Sequence, residues 1–307
     1  MPHNHDHSHH HESSNRTRLG IALAITGIIL LAEIFGAWWT SSLALFADAG
    51  HMAVDTAGLA IAFTAASLIL RPASSKHTWG LRRAEVISSA LQALLLGSVG
   101  LYTIIEAVRR LITPVDVNSH GLLLIGIIGL LGNIASFIVL SGGEHNLNMK
   151  AATLEVLNDA LGSVAVIISA IVVATTGFAR ADAIASLLIA LLILPRAFHI
   201  LRESGQILLE STPPGLDLEA VRTHILETEH VLDVHDLHAS RISSGLPVLT
   251  AHITLEDSCF NDGHIPDILD KLQECVATHF DVAIEHSTFQ FEPARHAEHE
   301  RTRCDIH

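Results

Sequence analysis

The sequence is poor in cysteine and in charge. Cys makes up 3 of its 307 residues, and Cys259, Cys275 and Cys304 show neither a CxxC pair nor any other paired spacing. That pattern argues against a disulfide framework. Charged residues amount to 16% against 49% hydrophobic, well below the roughly 25% charged content of ordinary soluble proteins. Positive charge is scarcest, with 18 Lys and Arg against 32 Asp and Glu and a formal net charge of −14. Nucleic acid is therefore not expected as a partner. The imbalance is uneven: 20 of the 32 acidic residues stand from Glu203 onward, against 6 basic ones. Such a segment suits the handling of cations. There is no HExxH and no nucleophile motif to suggest an enzyme. The N-terminus is polar and histidine-rich, unlike a cleavable signal peptide, so the first apolar segment is expected to be retained.

Apolar runs dominate what remains. The mean hydropathy is +0.42, and helix-length apolar segments fall at about Leu19–Trp39, Ser42–Leu70, Ala84–Val108, Leu122–Leu140, Ala151–Thr176 and Ile184–Leu201. Each is long enough, or nearly so, to cross a ~30 Å hydrocarbon core as a helix. An even number of spans puts both termini on one side. Arg16, Arg18, Arg71, Lys76, Arg82, Arg83, Lys150, Arg196 and Arg202 would lie on that side, against Arg109, Arg110 and Arg180 on the other. The excess of positive charge predicts that both termini are cytoplasmic in a multi-pass protein of the cell (plasma or inner) membrane.

Four regions are expected. Residues 1–15, with His3, His5, His7, His9, His10 and His11 among polar residues, read as a disordered tail able to gather metal weakly, or as a merely polar one. Residues 16–202 form an all-α six-helix transmembrane domain. Residues 203–292 form a small α/β domain, and 293–307 a polar tail holding His296, His299, Cys304 and His307. Within the α/β domain, Leu218–Leu226 and Ile265–Thr278 have helical spacing. Val231–Ile242 and Val248–Leu255 alternate around a Ser243-Ser244-Gly245 hairpin signal, and Val282–Phe291 alternates again. The expected order is helix, strand, strand, helix, strand. A domain of this size is near the lower limit of independent stability, so bound metal or association would help it.

Two of the apolar helices carry residues that lipid does not tolerate. His51 and Asp55 are four residues apart in one, Glu155 and Asp159 in another, so each pair shares a helix face. A charge near the bilayer centre costs about 3 kcal/mol, and three carboxylates roughly 9 kcal/mol. A divalent cation held between the helices would offset that cost; the bland alternative is a metal-free polar network or proton pathway. One nitrogen and several oxygens suit Zn²⁺, or more loosely Mn²⁺, Fe²⁺ or Co²⁺. Asp48, one turn before His51, reads as an outward-leaning or packing residue rather than a ligand.

The stretches LFADAGHMAVDTAGLAIAF, WGLRRAEVISSALQALLL, LEVLNDALGSVAVI, ADAIASLLIALLIL and DVHDLHASRISSGLPVLTAHITL resemble the cation diffusion facilitators. They resemble in particular the bacterial cobalt–zinc–cadmium resistance branch of divalent metal/proton antiporters. The resemblance runs from about Arg18 to Glu292. It implies a homodimer of six-helix chains with a ferredoxin-like, metallochaperone-like cytoplasmic domain, and a transport site at His51, Asp55, Glu155 and Asp159. Here Glu155 stands where the family usually has His, replacing a neutral ligand with a harder, anionic one. In a second site known in some members, His77 is kept but Ser74 and Leu81 replace the ligands, so no site is expected there. Ala183 replaces the usual Pro after Asp182. The resemblance also assigns His235, His252, His264 and His286 to metal in the cytoplasmic domain, as a regulatory Zn²⁺ site. Asp236, His238 and Glu292 are weaker candidates, and Thr288 stands in place of a bridging carboxylate. Scattered surface histidines are the plain alternative. Arg83 and Glu210 would interlock the two domains, or form an ordinary exposed pair. The expected function is proton-coupled export of divalent metal, Zn²⁺ first and also Cd²⁺ and Co²⁺, by alternating access. The competing readings are a manganese or iron exporter and a membrane metal sensor.

Overall fold

The computed structural model describes residues 8–141 and 147–296. His3, His5, His7, His299, Cys304 and His307 lie outside the described residues. Six long helices come first: α1 (Ser8–Thr40), α2 (Leu43–Ile69), α3 (Arg83–Ile112), α4 (Ser119–Ser141), α5 (Leu147–Thr176) and α6 (Arg180–Leu208). Each matches an expected span to within a few residues except at the start of α1 and at the end of α6, which runs on from the expected Leu201 to Leu208. α1 begins at Ser8, inside the segment expected to be disordered up to Asn15. Once a span is nucleated, each added residue gains a hydrogen bond at little entropic cost, and the helix propagates backwards into polar sequence.

Length and apolarity mark Gly20–Thr40, Arg83–Ile112, Ser119–Ser141, Ala152–Thr176 and Arg180–Leu208 as membrane-crossing segments. α2, with 27 residues, also exceeds the roughly 20 that a span needs, and is the helix carrying Asp48, His51 and Asp55. These helices are inverted relative to a soluble bundle. Large apolar side chains such as Leu31, Trp38, Leu192 and Phe198 point outward, while Glu33, Asp48, Asn133, Ser136 and Asp159 are buried. That is the distribution of a helical transmembrane domain.

The chain divides into two compact units, residues 1–61 with 91–201, and residues 62–90 with 202–307. In the first unit α4 packs between α1 and α5. Its buried face is made of small and polar residues, including Gly121, Gly126, Gly129, Asn133 and Ser136, which let backbones approach closely. The start of α2 is fixed by Asp182 at the head of α6. Its carboxylate accepts hydrogen bonds from the Ser42 hydroxyl (2.5 Å) and the Leu43 amide (2.6 Å), and the Ser42 hydroxyl in turn accepts one from the Leu45 amide. A carboxylate at a helix N-terminus satisfies otherwise orphaned donors.

The second unit contains α7 (Leu218–Leu226), β1 (Val231–Ser243), β2 (Leu246–Leu255), α8 (Cys259–Asp262), α9 (Ile265–Thr278) and β3 (His286–Pro293). The sheet order is β1-β2-β3, with β1 and β2 an antiparallel hairpin and β2 and β3 parallel. Asp217 caps α7, accepting from the Glu219 and Ala220 amides. Val221 and Ile225 of α7, Val234, Leu249 and Ile253 of the sheet, and Ile268, Leu272 and Val276 of α9 form one core. The expected order of elements is present, with two differences. The short α8 has no apolar periodicity to reveal it. β3 starts at His286 rather than Val282, because Ile284 is buried in the helix–sheet core and its amide bonds to the Val276 carbonyl at the end of α9. Also in this unit, Arg83 pairs with Glu210 at 2.8 Å. Both side chains are largely exposed, so the pair contributes about 0–1 kcal/mol.

Candidate functional site

The first candidate site lies between α2, α5 and α6. One helical turn separates His51 from Asp55, and His51 Nδ1 is 3.4 Å from Asp55 Oδ2. The other ring nitrogen, Nε2, is 3.9 Å from Asp159 Oδ1 on α5. Glu155, one turn before Asp159, is linked to Asp55 by a residue of α6. Arg196 places Nη1 3.4 Å from Asp55 Oδ2 and Nη2 3.4 Å from Glu155 Oε1. From α3, the Gln92 amide donates to Asp55 Oδ1 at 3.3 Å. Gln92 is admitted by Gly58, where a Cβ would lie 2.3 Å from the Gln92 amide carbon. The four residues singled out in the sequence are thus on facing helices, as their spacing predicts. His51 and Asp159 are buried, and Glu155 is about half-buried.

A tetrahedral ion with ligands at ~2.0–2.2 Å needs donor atoms about 3.3–3.6 Å apart. The His51–Asp55 separation meets that through Nδ1, whereas Asp159 faces the other ring nitrogen; an imidazole gives one ion only one of its nitrogens, so the remaining carboxylates have to close on whichever is used. Arg196 meanwhile supplies the positive charge between Asp55 and Glu155. A single cationic side chain shared by two carboxylates offsets much of the cost of burying them.

Asp48 is buried against α5, where at Gly162 a Cβ would come within 2.3 Å of its Oδ1, so it sits in a glycine notch on the helix that also carries Asp159. Nearby, Asn133 of α4 donates to the Ser163 hydroxyl of α5 at 3.3 Å. Arg196 and Gln92 were not singled out from the sequence as belonging with the site, nor was Glu33, which is buried and shares the notch at Gly129 with Ser163 of α5. Glu33 carried the same signal as the ligands, a carboxylate within an apolar helix, without a second ligand one turn away to mark it. Arg196 read as a flanking positive charge because it falls near the end of its apolar run.

The second candidate site is on the sheet. His235 on β1 is the register partner of His252 on β2, with their rings 5.4 Å apart and nearly perpendicular. Glu292 on β3 is buried, with Oε1 2.7 Å from His235 Nε2. The ligand atoms of His235, His252 and Glu292 all lie within 4.8 Å of one another. β1 bulges immediately after His235, so that His238 pairs with Thr250. Asp236 within the bulge has φ +50° and brings Oδ2 within 3.7 Å of His252 Nε2. A bulge re-aims side chains in this way. His264 and His286 do not join this cluster. His264 stacks on His230 and pairs with Asp262 at 2.9 Å. His286 pairs in register with Val248, at the far end of β3 from Glu292, and its ring meets Trp79. Glu292, the weaker candidate from sequence, takes the place expected for them. Two imidazoles and a carboxylate are a donor set that fits Zn²⁺ or Co²⁺.

Residues 19–209 match the family model for the cation efflux transmembrane domain, and residues 213–294 the model for the cation efflux protein cytoplasmic domain. The metal cation efflux system protein CzcD of Cupriavidus metallidurans is 42% identical over 90% of this chain and 86% of its own length. The zinc transporter ZitB of Escherichia coli is 38% identical over 94% and 91%. The cadmium, cobalt and zinc/H(+)-K(+) antiporter of Bacillus velezensis is 37% identical over 89% and 87%. Among solved structures, the metal-bound C-terminal domain of the Cupriavidus metallidurans CzcD transporter is 35% identical, covering 25% of this chain and 99% of its own, with a TM-score of 0.23.

Proposed function

The chain belongs to the cation efflux family, and from that premise we propose that it exports divalent metal, Zn²⁺ first with Cd²⁺ and Co²⁺, in exchange for protons. The relatives' names support these metals and, for the Bacillus velezensis protein, antiport. The observation that carries the reading is the set His51, Asp55, Glu155 and Asp159 on facing helices of a membrane domain, held around Arg196. The metal is the cargo of this site. His51 and the carboxylates must be deprotonated to hold it, so capture on one side and proton competition on the other would move metal one way and protons the other. Arg196 is an internal counter-ion. It neutralises Asp55 and Glu155 while no metal is present and has to give way for either carboxylate to become a ligand. Its place beside Pro195, a helix-interior proline, supports this role, since proline removes a helical hydrogen bond and loosens the local backbone.

His235, His252 and Glu292 would hold a regulatory Zn²⁺ in the cytoplasmic domain, which stabilises a small domain by binding only its folded form. The domain's family description, the expected homodimer and the excess of positive charge on one side support cytoplasmic termini in the cell membrane. The test is metal uptake into proteoliposomes under an imposed pH gradient, comparing Zn²⁺, Cd²⁺, Co²⁺, Fe²⁺ and Mn²⁺. Gradient-dependent uptake led by Zn²⁺ is expected. Uptake led by Mn²⁺ or Fe²⁺ would put Glu155 in charge of a harder preference, and no uptake of any ion would favour a sensor.

A further inference from the structure

A second knot of ligand side chains in the α/β unit shares no residue with the His235 cluster. Cys275 and His279 are four residues apart on α9 and its C-cap. The His279 amide still donates to the Cys275 carbonyl at 3.0 Å, so the helical turn persists and both side chains face the same way. His224 comes from the last turn of α7. His224 Nε2 lies 3.0 Å from His279 Nδ1, and one ring nitrogen of each histidine and Cys275 Sγ all lie within 4.8 Å of one another. Cys275 is buried while His279 is exposed, so the group has a closed base and an open mouth. It opens into a surface cavity of about 520 Å³, where Glu227, Glu229 and Glu274 gather with Lys271 partly opposing them.

The simplest alternative is a neutral hydrogen bond between the two imidazoles, with the cysteine an unrelated core residue. That explains the 3.0 Å separation but not the convergence of the sulfur on the same point. A tetrahedral Zn²⁺ bound at ~2.0 Å by two imidazoles sets the nitrogens about 3.3 Å apart, a few tenths of an ångström from the observed distance. The surroundings also fit. His224 Nδ1 lies 3.9 Å from Glu227 Oε2, beyond hydrogen-bond distance but on the side of the ring away from His279, so the acidic rim of the cavity reaches the second ring nitrogen. Phe280 meets the His224 ring edge-on at 5.7 Å between centroids and limits its rotation.

We propose that His224, Cys275 and His279 form a separate zinc-class site, two imidazole nitrogens and one thiolate with water completing the tetrahedron, that clips the C-terminal ends of α7 and α9 together. Mixed nitrogen and sulfur donors select Zn²⁺ or Co²⁺ over Mn²⁺ and Mg²⁺. On binding, the sulfur–metal bond replaces the S–H bond and the proton leaves to solvent. The site stands apart from transport and does not depend on it.

Co²⁺ is the probe, because a cobalt–thiolate bond gives a charge-transfer band that imidazole and carboxylate ligands do not. In the full-length protein in detergent, with Cys259→Ser and Cys304→Ser so that Cys275 is the remaining thiol, Co²⁺ should produce this band and Zn²⁺ should abolish it. The band should survive His235→Ala with His252→Ala. His279→Ala, at an exposed position where folding is not at stake, should weaken Co²⁺ binding at the band by about tenfold or more. Absence of the band in the Cys275-only protein would overturn the proposal. So would a band indifferent to both His224→Ala and His279→Ala.

Discussion

The two proposed metal-handling regions differ in how completely they are assembled. In the sheet, His235, His252 and Glu292 already sit with their ligand atoms within 4.8 Å of each other, on strands fixed by register and a bulge. In the membrane, His51 faces Asp55 and Asp159 with different ring nitrogens, so the carboxylates do not converge on one ligand atom, and Arg196 stands between Asp55 and Glu155. A site that holds a metal gains from ligands placed in advance, since less ordering is required on binding. A site that must capture and release on every cycle cannot bind one state too tightly. A built-in competing cation keeps the empty site neutral and holds the filled one within reach of proton competition.

The largest effect should come from the ligands themselves. Asp159→Ala and His51→Ala should each reduce flux in proteoliposomes to background while the protein stays folded and dimeric by size-exclusion light scattering. Near-normal flux in either would remove that residue from the site.

Arg196→Gln should separate a counter-ion from a residue that merely orients its neighbours. Loss of a competitor lowers the metal concentration for half-maximal transport and slows turnover together, because metal enters more readily and leaves less readily. A raised half-maximal concentration at unchanged turnover would show that Arg196 only positions Asp55 and Glu155.

Glu155→His tests selectivity. Exchanging an anionic oxygen donor for a neutral nitrogen should move preference toward Zn²⁺ and Cd²⁺ and away from Mn²⁺, Fe²⁺ and Co²⁺, and change the pH profile of transport. An unchanged ranking and profile would mean that zinc accepts the carboxylate in place of imidazole.

A smaller change is expected in the sheet. His235→Ala with His252→Ala should leave most of the flux and abolish the Zn²⁺-dependent rise in unfolding temperature of the full-length protein contributed by this cluster. An undiminished rise would place the stabilising metal elsewhere, with His224, Cys275 and His279 the first place to look.

The contrast also explains what the sequence revealed. Six spans and the intramembrane cluster of His51, Asp55, Glu155 and Asp159 were legible because lipid makes each misplaced charge expensive, so a carboxylate in an apolar helix stands out against its background. The same reasoning passed over Arg196, whose charge near the end of an apolar run is commonplace, although in the fold it stands inside α6 and joins the cluster. In the acidic α/β domain a histidine costs nothing at the surface, and spacing alone did not separate ligands from bystanders. His235 and His252 meet because strand register makes them neighbours, while His264 and His286 are drawn to His230 and Trp79 by ring contacts that no sequence pattern announces. Glu292 joins the cluster because β3 is parallel to β2, a long-range pairing. His224 and His279 went unremarked for a similar reason: nothing along the chain shows that α7 and α9 bring their ends together.

Transport is assigned by this proposal to the membrane site and not to the metal-binding groups of the α/β domain. The most direct measurement follows Zn²⁺ entry and internal pH together in proteoliposomes carrying either Asp55→Ala or the combination His235→Ala, His252→Ala and Cys275→Ser. Asp55→Ala should abolish both Zn²⁺ entry and proton counterflow, and the combined variant should keep both coupled. Coupled exchange that survives Asp55→Ala, or that disappears only in the combined variant, would contradict the account.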